Sequence, residues 1–184
     1  MFSDEVVAAA GAVIEAAKRR RLKIATAESC TAGLVSAALT SVPGSAEAFE
    51  RGFVVYSYGA KVELLGLDPM LVEDTGAVSE MVARAMAEGA LTHSDADLAV
   101  AITGIAGPTG GTPLKPIGLV HFATSLRGDA TVHRRELFGD LGRERVRLAA
   151  TQVAIDLLLD RLQSLSPGLP DTESRASLEP PKPG

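Results

Sequence analysis

Ser29, Lys61 and the glycine-rich stretch opening at Thr103 are the residues of this chain whose types and settings suit acyl-transfer chemistry. Ser29 lies within Ile24-Ala25-Thr26-Ala27-Glu28-Ser29-Cys30-Thr31-Ala32-Gly33-Leu34-Val35, where a short apolar strand pattern turns into a helix of small residues. The first N–H groups of such a helix lack intrahelical partners and carry the positive end of its dipole, so an oxyanion forming beside Ser29 would be stabilised. The competing reading is a plain helix cap by Ser29 or Thr31. Lys61 ends Phe53-Val54-Val55-Tyr56-Ser57-Tyr58-Gly59-Ala60-Lys61, a β-branched and aromatic run that enters a helix near Gly59. A cation is disfavoured in the first turn of a helix, so Lys61 either points into water or meets an anionic or catalytic group. Leu98 to Ile102 is an apolar run of buried-strand type that empties into Thr103-Gly104-Ile105-Ala106-Gly107-Pro108-Thr109-Gly110-Gly111-Thr112. Glycines permit close backbone approach, which is how such loops surround carboxylates, phosphates or developing oxyanions.

A serine hydroxyl is a weak nucleophile until a neighbouring base takes its proton. His93, His121 and His133 have no paired metal-ligand spacing, and His121 and His133 fall on strand patterns that suit packing. No metal is expected. Lys61 is the first candidate for the base, since a lysine desolvated in a pocket has a lowered pKa, and Tyr56 is placed to relay or orient the proton. Cys30 reads as a small buried filler rather than the nucleophile. Other signatures fail: the loop lacks the Gly-Lys-Ser/Thr of a P-loop, Gly-x-Gly-x-x-Gly is absent, and Ser29 is in neither a Gly-x-Ser-x-Gly elbow nor a Ser-x-x-Lys motif.

Taken in order, these segments resemble the CinA C-terminal domain family, whose stand-alone members include nicotinamide mononucleotide amidases. Ala27 to Gly33 matches the family's Ala-Glu-Ser-Cys-Thr-Gly-Gly, with Ala32 where a glycine is common. Val54 to Lys61 matches Val-x-Tyr-Ser-Asn-x-x-Lys, with Tyr58 in place of the asparagine. Thr103 to Gly111 matches Thr-Gly-Ile-Ala-Gly-Pro-x-Gly-Gly in full, Lys115 to Gly118 fits Lys-Pro-Val-Gly, and Arg143 to Arg147 resembles Arg-Glu-x-Val-Arg. The likeness runs from about Asp4 to Leu165. It implies hydrolysis of the nicotinamide mononucleotide carboxamide to nicotinic acid mononucleotide and ammonia, with Ser29 as nucleophile, Lys61 and Tyr56 completing the catalytic group, and no cofactor. Thr103, Gly104, Gly107, Gly110 and Gly111 would hold the carboxamide oxygen or the ribose phosphate; both assignments stay open at this point. Arg147 is the best remaining match for a phosphate contact, because a guanidinium can bind phosphate through two parallel hydrogen bonds. The alternative that the resemblance offers is a non-catalytic nucleotide-binding or competence-associated regulatory domain.

The elements that must position these residues alternate. Helical spacing of Val6, Ala10, Val13, Ile14 and Ala17 is followed by strands at Leu22–Thr26, Phe49–Tyr56 and Asp97–Thr103 and a hairpin of Gly118–Ser125 with Ala130–Phe138. Helices fall at Thr31–Leu39, Lys61–Leu65, Glu80 to about Leu91 with Ser79 as cap, and Arg143–Leu165. The pattern predicts an α/β fold, a three-layer α/β/α arrangement with a mixed, mostly parallel sheet. It spans residues 1–165, and 166–184, rich in Pro and Ser, read as a disordered tail. Aromatics make up only 4% of the chain, so the core must be aliphatic, and a net charge of −5 argues against a nucleic-acid surface. The short basic clusters Arg19–Arg21 and Arg134–Arg135 read as solvated faces. A single cysteine, no leader and no long apolar run lead to the expectation of a soluble cytoplasmic protein without membrane contact. A homodimer is expected from the family's helix-rich character.

Overall fold

The computed structural model describes residues 2–165, so the expected tail over 166–184 lies outside the described residues. A five-stranded sheet has the order β2-β1-β3-β4-β5, with β1 Ile24–Glu28, β2 Phe49–Val54, β3 Leu98–Gly104, β4 Leu119–Leu126 and β5 Val132–Leu137. β1 pairs in parallel with both β2 and β3, whereas β4 is antiparallel to β3 and to β5. Four strands therefore share one direction and β4 alone runs against them. The sheet is mixed, with helices on both faces, as the alternation of patterns predicts.

The two faces are built differently. On β3, Leu98, Val100 and Ile102 point into a cluster of large aliphatic side chains with α1 (Asp4–Arg20), α2 (Leu34–Thr40) and a later helix over Arg143–Ser164. Ala99 and Ala101 of β3, with Ala25, Ala27 and Ala123 of its neighbours, pave the opposite face. That face carries α3 (Tyr58–Leu65), α4 (Pro69–Thr75) and α5 (Glu80–Thr92), the last contributing Val82, Ala83, Met86, Ala87 and Ala90. The Arg143–Ser164 helix is α6. Alanine on both sides lets helix and sheet approach closely. Gly89 extends this to α3, since a Cβ there would collide with the Leu65 carbonyl.

Caps define most helix starts: Ser3, Ser57, Asp68 and Ser79 each accept a hydrogen bond from a first-turn amide, at 3.3, 3.1, 2.9 and 3.2 Å. α4 is an addition to the sequence reading, although its signal was present: Asp68 caps it and Pro69 fits the first helical position, where no N–H is needed. α2 begins at Leu34 rather than the expected Thr31. Ala32 and Gly33 have φ of 50° and 95°, and this left-handed pair keeps the chain out of the helix until Leu34. Left-handed backbone costs a residue with a Cβ about 1 kcal/mol, partly offset because glycine gains entropy in the unfolded chain. Ala32→Gly should therefore raise Tm by about 1–3 °C, readable by calorimetry; an unchanged or lower Tm would show that the turn carries no strain at Ala32.

Candidate active site

Ser29, Tyr56 and Gly104 all lie where a parallel strand ends, at one edge of the sheet. β1 stands between β2 and β3, so the chain leaves it toward one side and later returns on the other, the arrangement that opens a crevice at the carboxyl ends of α/β sheets. The end of β1 is held on both sides: Val55 donates its amide to the Glu28 carbonyl at 2.8 Å, and Ser29 donates its own to Ile102 at 2.9 Å. Side chains alternate along a strand. Glu28 turns toward α2 and Ser29 toward α3, where Lys61 lies.

Lys61 is fully buried, and its Nζ lies 3.0 Å from Ser29 Oγ, 2.7 Å from the Val55 carbonyl and 3.3 Å from the Tyr56 carbonyl. Among the described residues no carboxylate forms an ion pair with it. Burial disfavours the ammonium and pushes its pKa down to about 8. The unease of a lysine in a first helical turn thus resolves inward, toward the serine. Cys30, next in sequence, is 5% exposed, and burial pushes its thiol up to about 12. The thiolate is suppressed there.

The expectation that amides at the start of α2 would receive an oxyanion beside Ser29 meets a competitor in the protein itself. The Glu28 carboxylate accepts from Gly33 N at 2.8 Å, Val35 N at 3.1 Å, Ser36 N at 2.8 Å and Ser36 Oγ at 2.8 Å. An internal anion occupies that helix end. Arg147, proposed from sequence for a phosphate, spends Nε on the Cys30 carbonyl and Nη2 on the Thr31 carbonyl, both at 3.0 Å. It clamps the turn after the serine and retains one terminal nitrogen. Thr103 is buried, and its hydroxyl donates to the Ala77 carbonyl at 2.6 Å, tethering the segment that enters α5. Tyr56 is split: its carbonyl meets Lys61, while its exposed phenol accepts from Arg143 Nη2 at 3.0 Å. Arg143 also donates to the Gly107 carbonyl at 3.1 Å, joining the loop to the Tyr56 segment, a role not read from sequence.

The loop glycines answer to space as well as to chemistry. A Cβ on Gly104 would lie 2.7 Å from Val120 Cγ2 and 2.9 Å from the Leu119 carbonyl, and one on Gly107 would lie 2.8 Å from Ile117 Cγ2. Gly110 and Gly111 are exposed farther along. His121 and His133 pair on adjacent strands at 2.9 Å, with Glu80 3.4 Å from His133. Burial holds the His121 imidazole down to about 4 and lowers that of His133 as well, with Glu80 opposing the shift at His133. Among the described residues no three His, Cys, Asp or Glu side chains are grouped to hold a metal, and no helix is long and apolar enough to cross a membrane.

A strand-end serine paired with a buried lysine, beside a Thr-Gly-Ile-Ala-Gly-Pro loop, accompanies a match to the CinA C-terminal domain over residues 7–162. The chain belongs to the CinA C-terminal domain family. The solved structure of the competence/damage inducible protein CihA from Agrobacterium tumefaciens superposes with a TM-score of 0.86 at 42% identity, covering 89% of this chain and 99% of that one. A CinA superfamily protein from Escherichia coli gives a TM-score of 0.81 at 32% identity, covering 88% of this chain and 94% of that one. A CinA-like protein of Mycolicibacterium vanbaalenii is 56% identical over 136 residues, 73% of this chain and 32% of the relative. One from Mycobacterium tuberculosis is 52% identical over 149 residues, 80% of this chain and 34% of the relative. The chain spans about a third of the length of the curated relatives it matches.

Proposed function

We propose that this CinA domain is a serine amidase that hydrolyses the carboxamide of nicotinamide mononucleotide to nicotinic acid mononucleotide and ammonia. The observation that carries the reading is the 3.0 Å contact between Ser29 Oγ and a buried Lys61 amine that has no carboxylate partner among the described residues. With a pKa of about 8, roughly a tenth of Lys61 is neutral at pH 7 and able to accept the serine proton. Ser29 Oγ attacks the carboxamide carbon as its proton passes to Lys61. Lys61 then gives that proton to the departing nitrogen, ammonia leaves, and Ser29 carries the acyl group as an ester. A water deprotonated by Lys61 attacks the ester, the carbon–Oγ bond breaks, and Ser29 recovers its proton. Val55 and Tyr56 aim the amine through their carbonyls. Because Glu28 fills the start of α2, the oxyanion is assigned to amides around Gly104 and Gly107 in the glycine loop.

The phosphate is assigned to the exposed Gly110–Gly111 part of the loop and the remaining nitrogen of Arg147. Since Arg147 also clamps the serine turn, Arg147→Ala should slow hydrolysis of both nicotinamide mononucleotide and nicotinamide riboside. The nucleotide should suffer about tenfold more in kcat/KM, for the lost charge-assisted contact. Equal losses would restrict Arg147 to the turn. The reading as a whole is tested by incubating the protein with nicotinamide mononucleotide in chelator and measuring ammonia. Release no greater than that of a Ser29→Ala control would favour the non-catalytic nucleotide-binding role instead.

A further inference from the structure

Glu28 is a fully buried carboxylate in a strand whose five residues are all buried, and it makes no ion pair among the described residues. A charge so placed is costly unless its oxygens are fully hydrogen-bonded. They are, by the four donors of Gly33, Val35 and Ser36. The network continues outward: Ser36 Oγ is also 2.7 Å from Thr26 Oγ1. Gly52 of the neighbouring strand leaves room for it, since a Cβ there would come 2.9 Å from Thr26 Oγ1 and collide with Ser36 Oγ. Strands β1 and β2 and helix α2 thus devote a buried carboxylate, two hydroxyls and an obligatory glycine to a five-residue turn, 29–33.

That turn contains the nucleophile. Glu28 ties its far end to the residue that precedes Ser29, and Arg147 holds its middle carbonyls from the other side. The turn also includes the left-handed residues Ala32 and Gly33, and at Ala32, which carries a Cβ, that conformation persists only where the surroundings enforce it. We infer that Glu28, acting through Ser36 and the α2 amides, is a positioning residue that fixes the turn so that Ser29 Oγ stays over the Lys61 amine. The inference rests on the reading of Ser29 as nucleophile. Glu28 touches neither Lys61 nor the serine hydroxyl in any hydrogen bond of the structure, so its effect runs through geometry. A displacement of the order of 1 Å costs about a hundredfold in a reaction that depends on alignment.

The test uses an alkyl fluorophosphonate probe, which reports on the serine without requiring the proposed substrate. Ser29 Oγ forms a phosphorus–oxygen bond as fluoride leaves, and the serine proton goes to Lys61. Labelling of the wild type and its absence in Ser29→Ala establishes the probe; an unlabelled wild type overturns the nucleophile reading and this inference with it. Glu28→Gln places an amide N–H₂ against backbone donors and should slow labelling by about a hundredfold per folded molecule. Ser36→Ala and Gly52→Ala disturb the same network from outside the turn and should slow it about tenfold, which preserves the test if Glu28→Gln fails to fold. The pH midpoint of labelling should stay where it is in the wild type. With nicotinamide mononucleotide, kcat should fall with KM changed less than about threefold. Labelling rates within twofold of wild type in folded Ser36→Ala and Gly52→Ala, a displaced midpoint, or a loss confined to KM would each overturn the positioning role.

Discussion

Ser29→Ala should lower kcat/KM for nicotinamide mononucleotide by about a thousandfold or more while leaving the protein folded. The substitution deletes the attacking oxygen and one hydrogen bond from Lys61, whose amine keeps the Val55 and Tyr56 carbonyls. The structural cost of one such bond is about 1 kcal/mol. Ammonia release measured beside thermal denaturation separates the two effects. Cys30→Ala is the control, because that thiol is buried and held far from ionisation at neutral pH; it should keep most of the activity. Residual activity within tenfold of wild type in Ser29→Ala would remove the serine from the chemistry, and reversed phenotypes would make it thiol-based.

Lys61→Met should reduce kcat by about two orders of magnitude, with a smaller change in KM, since it preserves length but supplies no base. Wild-type kcat/KM should rise about tenfold per pH unit below about 8 and level off above it, as the amine loses its proton. The same group has a signature in stability. Its folded pKa lies below the ordinary lysine value of 10.5, so between about pH 8 and 10.5 the unfolded chain binds more protons and stability rises with pH. Raising the pH from 7 to 10 should therefore shift the stability difference between wild type and Lys61→Met by about 2 kcal/mol in favour of wild type. Urea denaturation of both proteins at the two pH values reads it directly. A parallel response would place Lys61 in water. Tyr56→Phe should cost less than Lys61→Met, because the Tyr56 carbonyl that meets the amine survives while only the phenol bond to Arg143 is lost.

The sheet was legible because its central strand β3 is an uninterrupted apolar run from Leu98 to Ile102, a pattern that leaves little choice but burial on both faces. Ser29 and Lys61 were legible as types in context: a hydroxyl at a strand end, and a cation where the helix dipole disfavours one. Their contact across 32 positions of sequence was not, because it depends on how α3 lies against β1. Arg147 was legible only in part. A guanidinium suggests phosphate on chemistry alone, and only the path of the 29–33 turn reveals two backbone carbonyls waiting for it. Glu28 carried a signal that went unused. A carboxylate inside Ile24-Ala25-Thr26-Ala27-Glu28 must find several donors if the strand is buried, and the nearest supply is the helix start a few residues on.

Among the described residues no carboxylate pairs with Lys61, and this bears on how the reaction ends. The substrate's amide is neutral, but hydrolysis leaves a carboxylate beside the amine. Below about pH 8 most of Lys61 is an ammonium with only carbonyls and a hydroxyl around it, so the newborn anion becomes the partner the fold withholds. Product and enzyme then hold one another through an ion pair that the substrate never makes. Acidity should lengthen the residence of the acid product even as it slows its formation, and alkali, by discharging the amine, should free it.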